Sequence, residues 1–311
     1  MARYVTTKRG SRSYTKQRRT PARRLKRKVR RRTSTKRRST GMSKRRLLNI
    51  TSRKKRDTLL TTTSSNSDGT TGATVKLTGT TVNGQDGAFF VFCPTARDLT
   101  TVAGNIGAVS QAASRTATSC YMRGFSEHLR IQTNSQAPWF HRRICFAARG
   151  SVFLGPSTGT GITPYRAYYD DAARGMTRHF LNSANNNTAT FLDLMKSVLF
   201  KGTYNQDWND LITAPVDNTR VDLKSDKTYL YRSGNAVGIV KEHKLWYPMN
   251  KTLVYDDDEN GDTEVSVYNS VTDKRGMGDY FIVDIIQSGE NGGVSDLMRI
   301  NATSSLYWHE R

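Results

Sequence analysis

The sequence predicts an all-β body carried behind a disordered, basic N-terminal arm. Three observations lead there. Positive charge is concentrated at one end of the chain. Downstream of it, short apolar runs alternate with polar positions and are separated by turn residues. Only one segment repeats its apolar residues at helical spacing.

The charge is the sharpest of the three. The first 56 of the 311 residues hold 25 Lys and Arg and no Asp or Glu. The whole chain has 49 basic and 26 acidic residues, so residues 57–311 hold 24 basic and 26 acidic and net −2. The overall charge of +23 therefore describes neither part. A uniformly basic protein is excluded, and so is an enzyme with an ordinary mixed surface.

The arm is assigned to residues 1–56. Its densest stretch, RTPARRLKRKVRRR, runs from Arg19 to Arg32, and basic clusters follow at Lys36–Arg38, Lys44–Arg46 and Arg53–Arg56. Like charges this close, with almost nothing apolar to bury, do not form a core, so the arm is expected to be disordered. Phosphate is the partner that suits it, because each neutralised phosphate releases condensed counterions and guanidinium forks fit phosphate oxygens. The candidate nucleic-acid-binding residues are Arg18, Arg19, Arg23, Arg24, Lys26, Arg27, Lys28, Arg30, Arg31, Arg32, Lys36, Arg37, Arg38, Lys44, Arg45 and Arg46. Tyr4 and Tyr14 are the arm's only aromatic residues, so contact is expected with backbone rather than bases. Arg23, Arg24, Lys26, Arg27 and Lys28, and separately Arg53, Lys54, Lys55 and Arg56, read as nuclear localisation signals.

Residues 57–73, containing TLLTTTSSNSDGTTG, read as a flexible Ser/Thr-rich tether. The body is assigned to residues 74–311. Its strand-like runs are Val75–Val82, Ala88–Cys93, Cys120–Thr133, Trp139–Gly150, Thr228–Tyr231, Val237–Tyr247, Lys251–Tyr255, Glu264–Tyr268, Asp279–Ile286 and Leu297–Trp308. Phe191, Leu194, Met195, Val198 and Leu199 form the helical exception, and Gly155 to Asn187 is expected to be a long loop. About ten strands and one helix without an internal repeat point to a jelly-roll β-sandwich, which buries one face of each sheet and leaves few open edges.

Chemistry is sparse. His128, His141, His179, His243 and His309 show no metal-protease spacing, and the Gly-rich stretch Gly155–Gly161 lacks the Lys-Ser/Thr ending of a phosphate loop. There is no nucleophile elbow. No catalytic residue or cofactor is expected. Cys93, Cys120 and Cys145 lie in apolar runs and read as buried free thiols. The acidic run at Asp256–Asp262 offers a weak metal candidate. Asp256, Asp258 and Asn260 match the early positions of a calcium loop, but Val267 stands where its final Glu belongs. A tight Asn-Gly turn between strands, or a contact with a basic residue of a neighbouring copy, are the competing readings. No apolar run is long enough to span a bilayer, so no membrane partner is expected.

Several segments carry a resemblance. The arm, tether and β-rich body together are similar to capsid proteins of small circular single-stranded DNA viruses. KLWYPMNKTLVYDDDENG at Lys244–Gly261 resembles genomovirus capsid proteins, in particular those of the gemycircularvirus group. LFKG at Leu199–Gly202 with Asp207-Trp208, and MRINATSSLYW at Met298–Trp308, point the same way. The resemblance implies a single eight-stranded jelly roll, distantly similar to geminivirus coat proteins. It also implies a homo-oligomeric icosahedral (T=1) shell of about 60 subunits, a circular single-stranded DNA genome inside it, and host nuclear import receptors as partners. Virion and host nucleus would be the locations. About 60 arms of 25 cations supply roughly 1,500 positive charges, which suits a genome of about one and a half to a few kilobases. The alternative is a cellular ribosomal or chromatin-type nucleic-acid-binding protein with a basic tail.

Overall fold

The computed structural model describes Gly10 and residues 42–101, 103–155, 166–186 and 189–311. The candidate DNA-binding and import residues from Arg18 to Arg38 lie outside the described residues. The folded unit runs from Lys44 to Arg311.

In chain order its elements are α1 (Lys44–Thr51), β1 (Arg53–Leu59), β2 (Thr61–Ser65), β3 (Thr71–Lys76), β4 (Thr80–Asn83), β5 (Ala88–Phe92), β6 (Ser119–Thr133) and β7 (Trp139–Ala148). There follow β8 (Tyr169–Asp171), β9 (Gly175–Phe180), α2 (Ser183–Asn186), α3 (Ala189–Leu199), β10 (Asp222–Tyr231) and β11 (Val240–Val254). The chain closes with β12 (Asp258–Asn260), β13 (Thr263–Val265), β14 (Asp279–Ser288) and β15 (Leu297–Glu310).

Two large antiparallel sheets dominate. One has the order β1-β15-β6-β11, with β4 also paired to β15; the other has the order β10-β7-β14-β5. They pack face to face, so the all-β sandwich predicted from the strand pattern is the observed architecture. Phe92, Cys145, Tyr280 and Ile282 of the second sheet meet Met122, Phe125, Leu306 and Trp308 of the first. The Phe92 and Phe125 rings lie 5.8 Å apart across this interface. The second sheet is buried on its far side as well. Phe89, Val91, Ile144, Phe146, Phe281, Val283 and Ile285 pack there against Met195 and Leu199 of α3, against Phe200, and against Phe153. Covering on both faces explains why β5 and β14 are nearly continuous apolar runs while β6 and β15 alternate.

A smaller sheet, β3-β2-β9-β8, contains one parallel pair, β2 with β9. The two runs Val237–Tyr247 and Lys251–Tyr255 turn out to be one strand, β11, with an irregularity between Pro248 and Lys251. Proline is tolerated there because β11 is the outer strand of its sheet.

Three sequence readings are corrected. The residues read as the end of a disordered arm form α1 and β1, and β1 pairs along its length with β15 at the C-terminus. The supposed tether forms β2 and β3, and every residue of Thr61–Ser65 is buried. Its burial rests on hydroxyl pairing: Thr62 Oγ1 lies 2.9 Å from Thr177 Oγ1 and 3.0 Å from His179 Nδ1, while Thr63 donates to Thr80 Oγ1. Threonine is a good strand former once its hydroxyl is satisfied, so small polar residues here mark a buried strand rather than a linker. Finally, the stretch Gly155–Asn187 is not all loop, because it contains β8, β9 and α2.

Candidate nucleic-acid interface

The basic clusters that fall within the folded unit are those at its start. Lys44, Arg45 and Arg46 lie in α1, and Arg46 is exposed. Arg53, Lys54 and Arg56 are exposed on β1, but Lys55 is buried. Strand alternation turns Lys55 inward, where Nζ reaches Glu310 at 3.0 Å, Ser114 O at 2.7 Å and Thr116 Oγ1 at 2.9 Å. Burial raises the Glu310 carboxyl, yet bonds from Thr116, Trp308 and Lys55 outweigh it and hold the group below its ordinary value. The four-residue basic run Arg53–Arg56 is therefore a strand with one cation withdrawn into the core, and as an accessible import signal it is corrected. Lys55→Ala is expected to cost about 3 kcal/mol, since it strips a buried carboxylate of its counter-charge. Urea unfolding measures this; a midpoint equal to that of the unsubstituted chain would show that β1 docks without the pair.

Next to Lys55 the strand faces outward. Arg56 stacks over the Tyr307 ring, 5.4 Å from its centroid, and donates to Ser305 Oγ at 3.2 Å. Register sets what lies beside it on the outer face of the β1-β15-β6-β11 sheet. One rung reads Lys54, His309, Tyr121, Thr252; the next reads Arg56, Tyr307, Gly124, Pro248; the third reads Thr58, Ser305, Ser126, Trp246. Rungs beyond carry His128 with Lys244 and Arg130 with Glu242. Trp246 is 50% and Tyr121 38% exposed. Trp246 and Tyr307 meet edge to face at 5.7 Å. A Cβ on Gly124 would come within 2.6 Å of the Trp246 ring, so glycine lets the indole lie down on the sheet. Arg123, at the irregularity between Tyr307 and Trp308, bonds the side chain of Asn250. Burial, then the charges of Arg123 and Lys54, push His309 below its ordinary 6.5, so its ring is neutral at pH 7.

Behind this face, between the sheets, lies a buried ionic cluster. Arg178 Nε binds Glu127 at 2.8 Å and its Nη2 binds Asp284 at 2.8 Å. Arg143 bridges the same two carboxylates, and His141 Nε2 lies 2.8 Å from Asp284. Ser304 Oγ donates to Glu127 at 3.1 Å. Two guanidiniums face two carboxylates, all almost fully buried, so the cluster joins β6, β7, β9 and β14 and is closed to any ligand. Of these residues the sequence singles out only His141, as one of five histidines without metal-site spacing. Arg142 is buried separately, paired with Asp226 at 2.6 Å.

The acidic run forms the β12–β13 hairpin, with Gly261 at φ +69° in the turn. Asp257, not one of the three metal candidates, is the acid with a fixed partner: Arg115 grips it at 2.5 and 2.8 Å. Asp258 and Asn260 sit exposed at opposite ends of β12, and the Asp256 amide bonds Asn269 O. Among the described residues no group of three or more His, Cys, Asp or Glu is placed to hold a metal ion. The weak calcium candidate at Asp256, Asp258 and Asn260 is therefore not gathered into a site; the run makes a tight turn between strands, but on Gly261 and Asp262, one residue later than the expected Asn-Gly turn, with Asn260 paired to Thr263.

Cys93, Cys120 and Cys145 are buried and unbridged, and burial pushes the Cys145 thiol up to about 12. His179 is held neutral, pushed down to about 3 by burial and Arg178. Among the described residues, no helix is long and apolar enough to cross a membrane. Compared with known proteins, the chain matches no family model and no curated protein.

Proposed function

We propose that this chain is a non-enzymatic viral capsid protein. It self-assembles into a small icosahedral (T=1) shell of about 60 copies and packages circular single-stranded DNA through its basic N-terminal arm. Host import receptors reading Arg23–Lys28 take the subunit to the nucleus, and the virion is its final location. The observation that carries this reading is the segregation of charge: 25 cations without an acid in residues 1–56, against a remainder that nets −2. The arm neutralises phosphate whatever the base sequence. The folded unit from Lys44, with 31 basic and 26 acidic residues, carries a small excess for its size, so copies pack side by side with little mutual repulsion.

The strand pairing supports the finer fold reading, an eight-stranded jelly roll. The two large sheets hold nine strands; with β4, which pairs the start of β15, set aside, the other eight in chain order pair first with last (β1 with β15) and second with seventh (β5 with β14). The third pairs the sixth (β6 with β11) and the fourth the fifth (β7 with β10). Such nested antiparallel pairing is what a long hairpin rolled into two sheets produces.

The test is assembly. The full chain expressed alone is expected to sediment as uniform particles of tens of copies that carry nucleic acid, visible as shells by electron microscopy. Monomers over a wide range of salt and pH, or a complex with ribosomes or chromatin instead of shells, would refute the reading.

A further inference from the structure

We propose that the outer face of the β1-β15-β6-β11 sheet is a stacking surface for the unpaired bases of a single-stranded nucleic acid, with Trp246 and Tyr307 as the rings and Lys54, Arg56 and Lys244 holding phosphates. The inference rests on the packaging reading and adds base contact to a mechanism that otherwise touches phosphate alone.

Four features of the face carry it. The first is the spacing of the rings. Aromatic residues occupy three successive rungs, Tyr121 with His309, then Tyr307, then Trp246. Same-face rungs lie about 6.8 Å apart, so consecutive bases of an extended strand each meet a ring. The second is exposure. Half of the Trp246 surface stays open to solvent although the ring leans on Tyr307 and lies over Gly124. Gly124 beneath it removes the one side chain that would lift the ring off the sheet.

The third is charge. The folded unit from Lys44 holds 31 basic and 26 acidic residues, a net of +5, and this face gathers cations with few carboxylates among them. Lys54, Arg56, Arg130, Lys244 and Arg299 are exposed along it. Among the described residues, Glu242 is the one carboxylate on the outer face of these four strands, and His128 Nε2 sits 3.3 Å from it. A cationic groove floored with aromatic rings is the combination that binds single strands without sequence preference. The fourth is continuity in sequence: the polycationic segment is followed directly by α1 and β1, and β1 is the strand that brings Arg56 onto Tyr307.

The experiment compares two probes on the full chain: an oligothymidylate of about 16 nucleotides and an abasic strand of the same length and charge. The arm treats them alike, and the sheet face does not. The expected result is at least about tenfold tighter binding of the oligothymidylate, accompanied by quenching of tryptophan fluorescence. Trp139 and Trp308 are buried and Trp208 is half-buried, so the quenching reports on Trp246. Trp246→Ala should abolish both the preference and the quenching while leaving abasic affinity unchanged. Trp246→Phe, which keeps a ring, should retain most of the preference, and it carries the test if the alanine chain does not fold. Equal binding of the two probes by the unsubstituted chain would overturn this proposal and leave the packaging reading standing. Binding of neither would overturn both. A Trp246→Ala chain that keeps its preference for bases but no longer assembles would make the face a contact between subunits and overturn the proposal.

Discussion

A chain cut after Ser43 is expected to keep its folded body and lose most of its affinity for single-stranded DNA, whereas a chain cut after Arg56 is expected not to fold stably. Residues 1–43 hold 18 of the arm's 25 cations and no acid, and the folded unit begins at Lys44. Losing six to ten phosphate contacts costs on the order of 10³–10⁵ in affinity at moderate salt. The intact chain should show a steep salt dependence, with a slope of about −0.7 per phosphate on single strands. The cut chain should show a shallow one, and what binding is left should favour bases over an abasic backbone. The second cut removes most of β1, exposes the edge of β15, and leaves Glu310 buried without Lys55. Thermal melting and binding isotherms of the two truncations separate the outcomes. Undiminished DNA affinity after the first cut would mean that the charge asymmetry has nothing to do with nucleic acid. Normal melting after the second would mean that the β1–β15 pairing is dispensable.

Asp284→Ala is expected to be the most damaging single substitution in the body. It leaves Arg143 and Arg178 buried with Glu127 as the remaining carboxylate of the cluster, and it removes the partner of His141. Removing one side of a buried pair costs about 3–5 kcal/mol, a loss of roughly 6–20 °C in melting temperature for a body of this size. The same cluster sets an acid limit. Burial raises the Asp284 and Glu127 carboxyls, but Arg143 leads a set of positive neighbours that outweighs it, and both end below their ordinary 3.8 and 4.5. Their contribution is therefore complete above about pH 4.5 and is lost as pH falls towards the folded-state values. Asp279, raised by burial to about 6 despite its bonds from Ser270, acts in the opposite sense and weakens the fold as pH rises from 3.8 to about 6. Melting curves from pH 3 to pH 7 on the unsubstituted and Asp284→Asn chains should be offset by a constant amount above about pH 4.5 and converge below it, because acid removes from the unsubstituted chain what the substitution has already removed. An identical acid profile would show that the cluster does not govern acid stability.

Much of the architecture was legible because burial leaves a periodic trace. The alternation in β6 and β15 and the unbroken apolar runs of β5 and β14 named their strands, and Phe191 to Leu199 named α3. Three of the missed strands share one property: much of what they bury is polar. β2 buries hydroxyls, β9 buries Arg178 and His179, and β1 buries Lys55. Hydrophobic periodicity is blind to such strands, because their burial depends on partners from distant parts of the chain, such as Thr177 for Thr62 or Glu310 for Lys55. One faint signal existed for β1. Lys55, Asp57 and Leu59 share a parity that a solvated arm has no reason to keep.

The candidate interface divides along the same line. Sequence by itself determined the charge asymmetry, the all-β class of the body and the absence of a recognisable catalytic motif, because these depend on composition and local pattern. Only the tertiary structure decided where the arm ends, that two carboxylates and two guanidiniums meet between the sheets, and that Arg56, Tyr307 and Trp246 share one face. Those residues are separated by tens to hundreds of positions, and strand register, which is set by the packing of the opposite faces, is what makes them neighbours.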